Sequence, residues 1–163
     1  MSLPVSRSMY VLVTCVAAIT AALAAALSQQ LSLPVWAMFV GWIAFFTQGL
    51  DARNAIENLA CVWAGLVIGA LASLAIQSLA PHLGSGLTLP VVVFVVASFV
   101  VALRGLPRMR NLLAYFLGLV AWFASHLEPA PASLGILLAA TAIGSAAAWI
   151  AHTTPSRLAR AAS

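Results

Sequence analysis

Apolar residues run along this chain in six blocks, at residues 9–27, 33–50, 55–79, 87–103, 112–126 and 133–152. Each approaches the roughly 20 residues of helix that cross about 30 Å of hydrocarbon, with the second and fifth near the lower limit. Polar or helix-breaking segments separate most of them: Ser28-Gln29-Gln30, Pro81-His82-Leu83-Gly84-Ser85-Gly86, Arg104-Gly105-Leu106-Pro107-Arg108 and Glu128-Pro129-Ala130-Pro131. The pattern predicts an all-α integral membrane protein with six transmembrane helices. Residues 1–8 and 153–163 form short tails around a membrane domain at 9–152.

Composition sharpens this reading. Of 163 residues, 64% are hydrophobic and 6% charged, against about 25% charged in a soluble domain. A water-facing fold of this length would lack the polar surface to cover itself. The net charge of +4 does not point to nucleic acid, because the cations are placed as a topology signal. All are arginines: Arg7 precedes the first block, Arg53 lies between the second and third, Arg104, Arg108 and Arg110 lie between the fourth and fifth, and Arg157 and Arg160 follow the sixth. Six spans put every arginine on one side, as the positive-inside rule requires. Five or seven would divide them. The expected location is the bacterial inner membrane, with both termini cytoplasmic. Arg7, the first apolar block and Ala24-Ala25-Ala26 also resemble a cleavable leader. That block is longer than a leader's apolar core, and cleavage would leave five spans, so an uncleaved first span is expected.

A faint repeat crosses the chain. Ala37-Met38-Phe39-Val40-Gly41 lines up with Ala114-Tyr115-Phe116-Leu117-Gly118, and Ala44-Phe45-Phe46 lines up with Ala121-Trp122-Phe123 at the same offset. Two units of three spans, about 9–79 and 87–152, must insert in opposite orientations because three is odd. Inverted three-helix repeats of this kind underlie many channels and transporters.

Candidate chemistry is sparse. The carboxylates, Asp51, Glu57 and Glu128, occupy loop positions or helix starts, and His82, His126 and His152 sit at span ends on no shared motif. Asp51 or Asn54 is expected to cap the third helix, with Glu57 in its first turn and paired to Arg53. No nucleophile–base pair, metal-ligand spacing or phosphate loop is present, so the chain reads as neither an enzyme nor a metal or cofactor binder. Cys15 and Cys61 are expected to be buried small hydrophobes. Coupled pumping has no support either, since no charge sits at mid-depth.

The aromatic residues remain. Phe39, Trp42 and Phe46 share one helical face of the second block, and Phe116 and Phe123 share one in the fifth, with Trp122 adjacent. Gln48 and His126 lie at opposite ends of these faces. This set suggests a narrow path for a small polar solute such as urea or ammonia, ring-lined, with polar groups at its mouths. Interfacial anchoring and ordinary packing explain the same rings, Trp36 above all. Gly65-x-x-x-Gly69 and Gly144-x-x-x-Ala148 permit close helix approach, within the chain or in a homo-oligomer.

Several short stretches resemble a known family. Leu79-Ala80-Pro81-His82-Leu83, Trp36-Ala37-x-Phe39, Gly49-Leu50, Phe116-x-Gly118 and Phe123-Ala124 are similar to segments in domain-of-unknown-function family 1097. Its members are short six-span bacterial membrane proteins. The resemblance covers about residues 9–152, with a departure in the arginine-rich loop before the fifth block. It implies the fold and topology, and brings no established activity. A passive or facilitative conduit for a small polar solute is the leading expectation. The alternatives are a non-transporting scaffold, sensor or accessory protein, and an exporter of small amphipathic compounds.

Overall fold

A computed structural model describes residues 7–161, with side chains described except at positions 85 and 156–161. The residues expected to form the outermost tails, 1–6 and 162–163, and the Arg157 and Arg160 side chains lie outside that description. Six helices follow one another: α1 (Arg7–Gln30), α2 (Val35–Phe45), α3 (Ala52–Leu83), α4 (Ser85–Leu103), α5 (Leu112–Ser125) and α6 (Pro131–Ala161). There is no strand among the described residues. Four of the helices, α1, α3, α4 and α6, are long and apolar enough to cross a membrane, whereas α2 and α5 are shorter apolar helices.

Local chemistry sets the helix ends. Asp51 caps α3 by accepting from the Asn54 amide at 2.7 Å, and Asn111 caps α5 by accepting from the Ala114 amide at 3.2 Å. These side chains replace acceptors that the first turn lacks. His126 ends α5 in the left-handed region at φ 52°. Gly84, at φ 74°, separates α3 from α4. Pro81 does not break α3 as expected but lies inside it. Its ring removes one i→i−4 hydrogen bond in the last turn, and the helix ends only at Gly84, where φ turns positive.

The second block also differs from expectation, because α2 stops at Phe45 rather than continuing to 50. Thr47 turns its hydroxyl back onto the Ala44 carbonyl at 2.6 Å. Gly49 then adopts φ +68°, with the Asn54 side chain pressed where a Cβ would stand. Two further expectations are corrected. Cys15 is exposed on α1 while Cys61 is buried, because α1 covers the bundle with only a narrow strip around Ala24 and Ser28. Glu57 falls in the second turn of α3, not the first, because α3 starts at Ala52.

The two longest helices, α3 and α6, pack on each other. Trp63 Nε1 joins them by donating to Thr141 Oγ1 at 3.1 Å. Each long helix also carries a short one along its length, α5 on α3 and α2 on α6. The peripheral helices follow the same scheme, with α1 against α6 and α4 against α3.

These contacts are close because the residues in them are small. A Cβ on Gly41 would strike the Thr141 backbone, and one on Gly144 would strike the Met38 carbonyl. Across the other pair, Gly118 abuts the Val62 carbonyl and Gly65 the Tyr115 carbonyl. Glycine at these four points lets backbone meet backbone, and neighbouring side chains then close over the contact. Outward faces remain apolar, as Leu23, Phe94 and Phe99 show. Such surfaces are compatible with a bilayer as surroundings.

Gly144→Ala should therefore destabilise the protein by about 1–3 kcal/mol, the usual cost of overpacking. Gly135→Ala should be close to neutral, because nothing stands near its position. Thermal unfolding in detergent followed by tryptophan fluorescence compares them, and equal melting of the two variants would contradict the packing described.

Candidate functional site

A polar recess of about 290 Å³ opens at one end of the bundle, where the α2–α3 turn meets the α4–α5 loop. The turn contributes Gln48 and Asp51, and the start of α3 contributes Arg53, Asn54, Glu57 and Asn58. Pro107, Arg108, Arg110 and Asn111 close it from the other side. The recess thus gathers arginines from two loops far apart in sequence. Arg104, although in the same loop as Arg108, does not line it.

Its floor is a pair of asparagines. Asn58 is 1% exposed and Asn111 7%, and a buried amide is costly unless every hydrogen finds an acceptor. Here they all do. Asn58 Nδ2 donates to the Gln48 carbonyl at 2.8 Å and the Phe45 carbonyl at 3.5 Å. Asn111 Nδ2 donates to Asn58 Oδ1 at 2.7 Å and to Thr47 Oγ1. The pair therefore serves backbone groups that α2 leaves open where it stops short, and ties that turn to the cap of α5.

At the rim, Arg53 Nε donates to Glu57 Oε1 at 3.0 Å, as expected from their spacing. Both hydrogen bonds from Asn54 to Asp51, from its backbone amide and its side chain, hold the Asp51 carboxyl below its ordinary value of 3.8. Asp51 is accordingly ionised throughout the neutral range. No carboxylate pairs with Arg108 or Arg110 among the described residues.

The residues singled out from sequence divide among separate places. Gln48 lines the polar recess. His126 is exposed at the far end of α5, about 21 Å away by the length of that helix. Phe39 and Phe46 lie on the outer surface of α2, 41% and 49% exposed, and Trp42 is half-buried against α6. Phe116 and Phe123 line a wholly apolar groove of about 380 Å³ between α3, α4 and α5. Trp122 is buried and donates from Nε1 to Ser73 Oγ at 2.8 Å. No cavity among those described brings the rings of α2 and α5 together. In the core, Ala37 and Ala44 of α2 share one buried cluster with Ala114, Tyr115, Leu119, Ala121 and Trp122 of α5.

Sequence reasoning passed over Thr47, Asn58 and Asn111. A signal for Asn58 was available, since an asparagine within an otherwise apolar helix requires partners. Nothing in the sequence named those partners, which stand 10 and 53 residues away.

Asn111→Ala should remove the α5 cap and leave Asn58 Oδ1 unpaired, costing roughly 1–3 kcal/mol. Asn111→Ser keeps a cap but not the bond to Asn58, so it should fall between Ala and wild type in chemical or thermal denaturation. A serine variant no better than alanine would show that the cap contributes nothing.

Comparison with curated proteins and with solved structures finds no match. A family model does match, described as protein of unknown function DUF1097, and it extends over residues 14–155, from α1 into α6. The chain belongs to the DUF1097 family.

Proposed function

We propose that this is a six-span protein of the bacterial inner membrane, built from two inverted three-helix units, that passes a small polar solute through the recess at its arginine-bearing end. The observation that carries the reading is the buried amide floor at the end of a helix too short to span. At 11 residues, α2 is about 17 Å long, well under the roughly 30 Å of hydrocarbon. Non-helical backbone at such depth is tolerated where protein satisfies it or where it lines a cavity, and interrupted helices of this kind form transporter sites. Asn58 supplies that satisfaction, and the recess lies directly above it.

The packing supports the inverted repeat. The contact of Gly41 on Thr141 corresponds to that of Gly118 on Val62, and the contact of Gly144 on Met38 to that of Gly65 on Tyr115. Positions in α2 recur 77 residues later in α5, and positions in α3 recur 79 later in α6. Further pairs obey the same rule: Phe45 packs with Ala148, and Trp122 against Gly69. Three helices per unit would reverse the second relative to the first. The arginines of both loops around the recess would then mark the cytoplasmic side.

A second reading, export of small amphipathic compounds, draws on the lateral groove lined by Phe116 and Phe123. Increased drug susceptibility of a deletion strain, restored by the wild type and not by Phe123→Ala, would favour it.

Stopped-flow light scattering on proteoliposomes across urea, glycerol, ammonia and water gradients tests conduction. One solute should equilibrate faster than in empty liposomes, with the rate altered by Gln48→Ala, whose side chain lies outside the amide pair. Rates equal to empty liposomes for every solute would discard conduction and leave an accessory or scaffolding role. Orientation is tested separately by single cysteines. Arg104→Cys should react with an impermeant maleimide only after cells are opened, and Glu128→Cys in intact cells. The reverse pattern would overturn the topology.

A further inference from the structure

We propose that the recess is a binding site for a phosphate-type oxyanion, held between Arg108 and Arg110. The inference names a ligand class for the site described above, and rests on the recess opening to the aqueous phase or to the headgroup layer. Three guanidiniums, Arg53, Arg108 and Arg110, face the cavity, against two carboxylates, Asp51 and Glu57. Both carboxylates are already committed: Glu57 to Arg53 at 3.0 Å, and Asp51 to the amide and side chain of Asn54. Arg108 and Arg110 have no acidic partner among the described residues. The lining carries one excess positive charge, and Arg108 and Arg110, with no carboxylate in ion-pair reach among the described residues, can each offer forked hydrogen bonds to an oxyanion.

A topology signal alone does not account for this placement. Orientation requires positive charge near the membrane, and Arg104 provides that from outside the cavity. Arg108 and Arg110 instead line the recess, on the segment that leads into the Asn111 cap. The start of α5 at the same wall adds the positive end of a helix dipole, which favours an anion over a cation. A volume of about 290 Å³ accommodates a phosphate with its hydration or the headgroup of a phospholipid. The two sources share one chemistry.

The test uses the purified full-length chain. Isothermal titration with inorganic phosphate reads the soluble source. Native mass spectrometry after exchange into phosphatidylglycerol or phosphatidylcholine reads the headgroup source. Arg108→Gln with Arg110→Gln should weaken binding about tenfold or more, the equivalent of losing charge-assisted hydrogen bonds. Arg108→Lys with Arg110→Lys keeps the charge that orients the loop but loses the forked geometry, so it should weaken binding less. Arg104→Gln should bind as wild type does. Saturable phosphate binding with that ranking supports a soluble anion. Retention of phosphatidylglycerol over phosphatidylcholine with the same ranking supports a headgroup. Binding of neither, or equal loss in Arg104→Gln, overturns the inference. Flux of a neutral solute without anion binding would sink this inference alone, and anion binding without flux would sink conduction alone.

Discussion

Everything else in this fold depends on backbone laid directly on backbone at Gly41, Gly65, Gly118 and Gly144. In hydrocarbon, apolar side chains gain little by leaving lipid for protein, so helices associate through close van der Waals contact and polar bonds. Removing the side chain at the crossing point is the direct way to bring two helices close enough. Each glycine opposes a main-chain carbonyl on the neighbouring helix, and larger groups such as Met38, Phe45, Tyr115 and Trp122 fill the space on either side. The long helices α3 and α6 thereby act as rails for α5 and α2. The peripheral helices α1 and α4 need little more than a strip of contact.

That arrangement creates a difficulty at the end of α2, and the polar residues resolve it. A helix that stops early exposes carbonyls without partners, and their burial is costly. Asn58 reaches back from α3 to one of them, that of Phe45, and to the Gln48 carbonyl in the turn beyond, while Asn111 holds Asn58 and caps α5 with the same side chain. One amide pair thus joins α2, α3 and α5 at the end where the arginines gather. Under the proposed repeat, the places of Asn111 and Asn58 are taken at the other end by Pro34 and Leu137. Leu137 is fully buried. The two ends would share a scaffold and differ in chemistry, one polar and recessed, the other sealed by apolar packing.

The aromatic rings illustrate how far periodicity reaches. Spacing places Phe39 and Phe46 on one face of α2, and Phe116 and Phe123 on one face of α5. It does not say which face turns inward. The outward rings leave Ala37, Ala44, Ala114 and Ala121 on the inner face, where small side chains help the backbones meet at Gly41 and Gly118. Where a bulky residue is buried, it lies beside the crossing. Trp122 finds a hydroxyl on Ser73, and Phe45 meets the His152 ring with centroids 5.8 Å apart.

By itself the sequence determined the helical class, the six apolar blocks and the gathering of arginines in alternate loops. Each of these follows from hydrophobicity, charge or identity read along the chain, which are local or periodic properties. Only the tertiary structure decided that α2 ends at Phe45, that the Phe45 and Gln48 carbonyls are met by Asn58, and that Arg53, Arg108 and Arg110 share one cavity. Those outcomes depend on which helix lies beside which. That is a matter of three-dimensional packing between residues tens of positions apart, and no one-dimensional pattern encodes it.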